Sequence, residues 1–253
     1  MTASVRPSVA FGHVVVIGGG CYGSWYTQQL TRAVEHGALA VSRVTVIDRD
    51  PNCLVAQRQS AGAYAMLPLV VETAEWHAWL AAWLDDAEPD ERAGDAIVPS
   101  PLMPHLLLDW LMHGARRRWP ARSVAVEPLR APPPMPWERA APDGRHYVSF
   151  AEWMCPVNCI EPARCPATRG PRSWSMPPAL AAYVSEERSS GHPLGGPIIF
   201  HCLHRVWGVG MIDADAVVLA DRFVAEAGHH GEARLLIGTV SHCHGALGIL
   251  HVS

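Results

Sequence analysis

The chain has 253 residues and a formal net charge of −4, and all 20 of its basic residues are arginines. Without lysine, the chain cannot build a Walker-type phosphate loop, a pyridoxal-phosphate Schiff base or the lysine site of a protein kinase. The slightly negative charge also argues against a nucleic-acid partner, because faces that bind nucleic acid are usually strongly basic.

The first predicted elements form a β–α–β unit. Residues 13–17 are a mostly apolar, β-branched run of the kind that forms a buried parallel strand. A glycine-rich stretch, Gly18–Gly23, follows at once, and apolar residues at helical spacing then predict a helix over 24–36. A second strand is predicted over 44–48, and its last residue is an aspartate.

The remaining elements also alternate between strands and helices. We predict further strands at 66–71, 96–98, 197–203 and 234–241, and further helices at 72–87, 104–119, 179–188 and 214–227. The proline-rich stretch 128–142 and the Cys/Pro-rich stretch 151–178 are predicted to be loops, because proline fits neither a helix interior nor a central strand. The tryptophans of the 72–87 helix indicate core or subunit contacts, so a homo-oligomer is plausible.

The glycine stretch has a spacing that suits a bound nucleotide. Gly18 permits a tight turn, Gly20 lets a pyrophosphate approach the backbone, and Gly23 lets the helix and strand pack closely. The N-terminus of the following helix would offer free N–H groups to phosphates. The alternative interpretation is a glycine-rich turn that binds no ligand.

Residues 12–50 resemble the Rossmann family of dinucleotide-binding proteins, on the strength of these glycines and of Asp48 at the end of the second strand. The resemblance implies that the three glycines line the pyrophosphate and that Asp48 binds the adenosine ribose. An acid there favours NAD(H) over NADP(H), although Arg49 leaves NADP(H) open and FAD-binding proteins share the glycine pattern. A short-chain dehydrogenase would need a Tyr-x-x-x-Lys pair, so the resemblance implies a nucleotide site and no particular reaction.

The predicted fold is α/β, with a Rossmann-like, mostly parallel sheet and a Cys/Pro-rich loop insertion. We expect a dinucleotide-binding domain over 1–127 and a Pro/Cys-rich linker with a metal-binding insertion over 128–178. The C-terminal α/β segment, 179–253, is expected to complete the same sheet.

Seven cysteines are an odd number, which argues against a disulfide framework in a chain without a secretion signal. Three of them lie close together in the Cys/Pro-rich segment: Cys155, Cys159 and Cys165. Thiols gathered in this way can converge on zinc or on an iron–sulfur cluster, although their spacing matches neither a zinc-finger pair nor a ferredoxin run. Cys202 and Cys243 are the candidate additional ligands. Free structural or redox-active thiols are the alternative.

Four histidines flank these two later cysteines: His201, His204, His242 and His244. They are candidate proton carriers, because an unperturbed imidazole titrates near neutrality. His201 and His204 form one group and His242 and His244 another, and each group lies at or just after the end of a predicted strand. If these strands are parallel, both groups lie at the same sheet edge as the glycine loop. A hydrogen-bonded structural role is the alternative for each histidine.

These features predict an oxidoreductase-like protein that binds NAD(H), or FAD, at the glycine loop and a metal or iron–sulfur centre at the cysteines. Its partner would be a small-molecule substrate or a redox partner. The alternative is a non-catalytic nucleotide-binding sensor or assembly subunit with a structural zinc. No apolar run approaches the roughly 20 residues of a membrane span, and the N-terminus lacks a signal-peptide pattern. We therefore expect a cytoplasmic protein without a membrane partner.

Overall fold

The structure is a computed structural model that describes residues 9–153, 155 and 159–253. Its contacts divide the chain into two compact units. The first unit extends to Met103 and also contains Leu203–Val218, whereas the second contains Pro104–Cys202 and Leu219–Ser253. Each unit is therefore built from two separate stretches of chain.

The helices and strands alternate along most of the sequence. In chain order they are β1 (Val9–Ile17), α1 (Cys21–Glu35), β2 (Leu39–Asp48), α2 (Leu54–Ser60), β3 (Leu69–Thr73), α3 (Trp76–Leu84), β4 (Ala96–Val98), α4 (Leu106–Arg118), β5 (Val124–Glu127), β6 (Trp137–Ala140), β7 (His146–Ser149), α5 (Met176–Ser189), β8 (Gly195–His201), β9 (Leu203–Val206), β10 (Val209–Asp213), α6 (Ala214–His229), β11 (Ala233–Val240) and β12 (His244–Val252). None of the helices in the described ranges is both long and apolar enough to cross a membrane.

The first unit is organised around a six-stranded sheet in the order β3-β2-β1-β4-β10-β9. Strands β3, β2, β1 and β4 are mutually parallel, whereas β10 is antiparallel to β4 and β9 is antiparallel to β10. The end of β1 can lie at the centre because Val14, Val15, Val16 and Ile17 are apolar and buried, as a strand covered on both faces requires. The chain leaves β1 for β2 and β3 on one side and returns to β4 on the other, so the strand order reverses between β1 and β4.

The hydrophobic core of the first unit joins both of its stretches of chain. Val14 and Val16 of β1 belong to the same buried cluster as Val206, Val209 and Met211. Each of these residues is at most 6 % exposed. Burying an apolar side chain of this size stabilises a fold by about 1.5–3 kcal/mol. Strands β9 and β10 are therefore part of this core although they follow the second unit's first stretch in sequence.

The second unit contains a second sheet, in the order β6-β7-β12-β11-β8, in which β5 also pairs with β12. β8 runs parallel to β11, whereas the pairings of β12 with β11, β7 and β5 are antiparallel. Helix α5 covers this sheet with Met176, Leu180 and Val184, which recur at helical spacing and share a core with Leu236 and Leu247. The parallel pairing places the carboxyl ends of β8 and β11 side by side.

The predicted α/β class is confirmed, but the connections require correction. The segment 179–253 does not complete one sheet, because β9 and β10 join the first sheet while β8, β11 and β12 belong to the second. The stretch 128–178, expected to be a linker and insertion, supplies β6 and β7 to the second sheet. β6 is an edge strand there, where the prolines that precede it are tolerated.

Burial of His105 makes the stability of the second unit depend on pH. This residue, before α4, is 6 % exposed, and burial followed by the charge of Arg145 lowers its pKa from 6.5 to about 4. Because the unfolded chain binds a proton in this interval and the folded chain does not, we expect the free energy of unfolding to fall as the pH drops from about 6.5 to about 4, by at most about 1.4 kcal/mol per pH unit. His105→Phe should reduce that slope in urea-unfolding curves. An identical slope in both proteins would contradict this assignment.

Candidate functional site

A cleft of about 220 Å³ in the first unit is lined by the glycine loop and by residues that follow the strands. Its walls include Gly20, Asp48, Trp76 and Ser100. These residues follow or end β1, β2, β3 and β4, so the cleft lies at the carboxyl ends of parallel strands, beside the point where the strand order reverses. Ligands of open α/β sheets bind at such a point.

The three glycines of the loop differ in what surrounds them. Gly18 has a φ of +87°, a conformation that side chains rarely adopt. A Cβ at Gly23 would overlap the backbone carbonyl of Gly18, so only glycine allows α1 to approach β1 this closely. A Cβ at Gly20 would meet no atom within 4 Å, because this residue borders open space. The loop thus needs Gly18 and Gly23 for its own shape and leaves room at Gly20.

Asp48 holds the glycine loop in place. Its Oδ2 atom accepts a hydrogen bond of 2.6 Å from the backbone N–H of Gly19, and its Oδ1 atom accepts one of 2.9 Å from that of Asp50. The carboxylate nevertheless lines the cleft. Each carboxylate oxygen can accept more than one hydrogen bond, so Asp48 can serve both the loop and a ligand hydroxyl.

Trp76 and Arg49 form a further wall of the cleft, and of these two residues Trp76 was not assigned to a site from the sequence. The Trp76 indole donates from Nε1 to the carbonyl of Ile47 at 3.1 Å, and the Arg49 guanidinium lies 4.7 Å from the centre of its ring. Trp79 and Trp83, in contrast, both pack edge-on against His13. The signal that distinguishes Trp76 is its position as the first residue of α3, just after a parallel strand.

The structure places the predicted histidines in different surroundings. His201 pairs in register with Val240, and His242 follows β11 by two residues, so their rings lie edge-on with centres 4.9 Å apart. His204 instead belongs to β9 in the first sheet, where it pairs with Gly210. The expectation that both groups share one edge with the glycine loop is therefore wrong, because His201 and His242 belong to the second sheet.

Two of these histidines bind serine side chains. His242 Nδ1 lies 2.9 Å from Ser175 Oγ, and His244 Nδ1 lies 3.0 Å from Ser149 Oγ. Burial lowers the pKa of His244, which favours its neutral form. These contacts are those of hydrogen-bonded structural histidines, the alternative left open by the sequence.

Glu161 organises the turn between β11 and β12, a role that the sequence did not indicate. It is 8 % exposed, and its Oε1 accepts from Ser241 Oγ at 2.6 Å and from the N–H of Cys243 at 3.2 Å. Its Oε2 accepts from the N–H of His242 at 2.7 Å. One buried carboxylate therefore anchors the predicted His/Cys triplet to the Cys/Pro-rich segment.

The seven cysteines are all free thiols, and their surroundings differ. Burial raises the pKa of both Cys202 and Cys243 to about 12. The pKa of Cys165 is instead lowered, chiefly by a hydrogen bond from the Thr168 backbone N–H to its sulfur. Within the described part of the chain, no three His, Cys, Asp or Glu side chains are already arranged around a metal position.

Fold and sites thus define an α/β protein with a glycine-loop cleft in one unit and a Cys/His-rich sheet edge in the other. A family model described as "Uncharacterized protein, C-terminal domain" matches residues 106–253. Since this match spans more than half of the 253 residues, the chain belongs to that family. A search of the curated proteins gives no match, and a search of the solved structures gives none. The matched region begins with the first residue of α4.

Proposed function

We propose that the first unit is a Rossmann-like domain that binds NAD(H), with FAD as the other candidate, and that the protein is an oxidoreductase. The observation that carries this proposal is the position of the cleft. It lies where the order β3-β2-β1-β4 reverses, and it is lined by Gly20 and Asp48. The mutually parallel course of these strands supports the same assignment.

The glycine loop provides a place for the pyrophosphate. α1 is 15 residues long and begins directly after Gly20, without a side chain capping its N-terminus. Its first N–H groups have no partner within the helix and carry the positive end of its dipole. A diphosphate beside Gly20 would receive these N–H groups and would meet no side chain there.

The side of the cleft that contains Asp48 and Trp76 suits an adenosine. Asp48 would accept hydrogen bonds from the ribose hydroxyls, and the Trp76 ring offers an aromatic surface beside it. Arg49 is stacked on that ring and stands 3.9 Å from Glu75, so its charge is partly balanced. With a carboxylate at Asp48, a 2′-phosphate would be repelled, which favours NAD(H) over NADP(H).

A second candidate is a nucleotide-binding sensor or assembly subunit without catalysis. One observation favours this candidate: none of the four histidines predicted to carry protons is among the residues that line the described cleft. His242 and His244 bind serines in the second unit instead. Oxidation of NADH in the presence of an artificial dye acceptor would favour the oxidoreductase, whereas tight binding without turnover would favour the sensor.

Binding is tested by isothermal titration of the full chain with NAD⁺, NADH, NADP⁺, FAD and AMP. We expect Gly20→Val to weaken NAD(H) binding, because the new side chain would occupy the space of the pyrophosphate. Asp48→Ala should raise Kd about 10- to 100-fold, since it removes charged hydrogen bonds worth about 1.5–3 kcal/mol. The exposed Asp90→Ala is the matched control. Unchanged affinity in both cleft variants would refute the position of the pocket.

A further inference from the structure

The Cys/Pro-rich segment, which contains three of the second unit's cysteines, is hydrogen-bonded through Glu161 to the turn that follows β11. Cys155, Cys159 and Cys165 belong to the Cys/Pro-rich segment, and Cys243 follows β11. Glu161 lies between Cys159 and Cys165 in the sequence, and its Oε1 accepts a hydrogen bond of 3.2 Å from the backbone N–H of Cys243. The fold thus holds Cys243 against a segment about 80 positions earlier in the chain.

Two of these sulfurs receive hydrogen bonds from N–H groups. The indole Nε1 of Trp174 lies 3.3 Å from the sulfur of Cys243. The sulfur of Cys165 accepts from the backbone N–H groups of Ala167 and Thr168 and from the Thr168 hydroxyl. Donors aimed at sulfur stabilise negative charge on it, which is how the protein around a metal-bound thiolate tunes that ligand.

The part of the Cys/Pro-rich segment from Ala163 to Trp174 is fixed by its own hydrogen bonds. The N–H of Cys165 donates to the carbonyl of Gly170 at 2.9 Å, and that of Arg172 donates to the carbonyl of Ala163 at 2.8 Å. The Arg172 guanidinium also binds the carbonyl of Trp174 at 2.9 Å. The turn around Cys165 and the indole over Cys243 are therefore held in defined positions before any ligand binds.

We propose that four thiols of the second unit bind one thiophilic metal centre, a zinc ion or an iron–sulfur cluster: Cys155, Cys159, Cys165 and Cys243. Four cysteine sulfurs can hold either a zinc ion or an iron–sulfur cluster, and the thiols lose their protons to solvent on binding. Cys202 is outside the set, because it follows β8 directly and belongs neither to the Cys/Pro-rich segment nor to the turn after β11. Trp174 is a positioning residue for Cys243.

Binding such a centre requires the thiols to change rotamer, because no three of the described His, Cys, Asp or Glu side chains stand around one metal position. A change of cysteine rotamer moves the sulfur by about 3 Å. Glu161 fixes the backbone N–H of Cys243, so the rotation changes the sulfur position without moving the turn.

The first test uses the unaltered full-length protein, purified without oxygen. We expect elemental analysis to give either about one zinc per chain, or iron with acid-labile sulfide and visible charge-transfer bands. If the protein is isolated without metal, one sample is loaded with zinc ions and a second sample is loaded with iron and sulfide. Alkylation followed by mass spectrometry should then show protection of the four proposed cysteines upon loading, while the exposed Cys21 is labelled.

The second test compares cysteine variants with matched controls. Cys165→Ser and Cys243→Ser should each lower the metal content at least tenfold, whereas Cys202→Ser and Cys53→Ser should retain it. Trp174→Phe keeps the aromatic contact and removes the N–H donor. It should retain the metal and shift the cluster's reduction potential or, in the zinc form, the charge-transfer band of a cobalt-substituted sample.

Three results would overturn the proposal. The first is the absence of bound zinc and iron after both loading arms. The second is a footprint in which metal loading does not lower the labelling of the four cysteines. The third is a loss of metal in Cys202→Ser together with its retention in Cys243→Ser. Since footprinting uses the unaltered chain, a variant that fails to fold does not prevent a decision.

Discussion

Gly23→Ala is expected to disrupt the glycine loop. The added methyl group would overlap the backbone carbonyl of Gly18, and neither backbone can move without separating α1 from β1. Overpacking of this kind costs about 3 kcal/mol. We expect a lower urea midpoint and faster hydrogen exchange in peptides covering 13–35. Because the loop also lines the cleft, the proposed binding of a nucleotide should be lost in parallel.

Gly20→Ala is the matched control for this loss of stability. Its Cβ would meet nothing within 4 Å, and the residue has an extended φ of −73° that alanine tolerates. The variant should unfold at the same urea concentration as the unaltered protein. Equal stability of the Gly20 and Gly23 variants would show that the close approach of α1 to β1 does not limit this loop.

Glu161→Leu is expected to destabilise the turn between β11 and β12. It removes the acceptor for the Ser241 hydroxyl and for the backbone N–H groups of His242 and Cys243. The Ser241 hydroxyl and the His242 N–H are part-buried, and the Cys243 N–H keeps the Ser241 Oγ at 3.2 Å as an acceptor, so we expect a loss of about 2–3 kcal/mol. Hydrogen-exchange mass spectrometry should show the largest increase in peptides that contain 241–244.

Two further variants separate the hydrogen bonds of Glu161 from its charge. Glu161→Gln keeps one acceptor oxygen and should lose less stability than the leucine variant. Glu152→Leu removes an exposed carboxylate from the same segment and should change the free energy of unfolding by no more than about 0.5 kcal/mol. If Glu161→Leu behaves like Glu152→Leu, the carboxylate does not hold the turn.

Local sequence patterns were sufficient to predict the start of the first sheet. The apolar run that ends at Ile17, the glycines after it and the second strand ending at Asp48 all occur in the structure as β1, the loop and β2. Such elements are predictable because burial on both faces and the tight turn each leave a signal within a few neighbouring residues. The strand at Ala96–Val98 was predicted with its observed bounds for the same reason.

Long-range pairing explains most of what the sequence did not predict. β12 was missed because Gly245 and Gly248 interrupt its strand pattern. In the structure a side chain at Gly248 would meet Leu108 at 2.8 Å, so glycine is needed where the helix α4 lies close. The division of the C-terminal segment between two sheets depends equally on partners far away in the sequence, which no local pattern encodes.

The candidate sites show the same limit. The sequence singled out Asp48 because a carboxylate at the end of a strand is a local signal, and this residue lines the cleft, while its role in binding a ribose stays a prediction. Its hydrogen bonds to Gly19 and Asp50 could not be read from the sequence. Glu161 was missed because an isolated glutamate in a proline-rich segment carries no spacing signal. Its importance comes from burial against residues 80 positions later in the chain, such as Ser241.

The first unit is completed late during synthesis on the ribosome, because it is built from two separate stretches of chain. β4 pairs on one side with β1 and on the other with β10, which follows it by more than a hundred residues. While the intervening stretch is being translated, β4 has an open hydrogen-bonding edge beside apolar residues, a template for aggregation. The nascent chain thus completes its first unit only after much of the second unit has been made, so chaperone protection matters most in that interval.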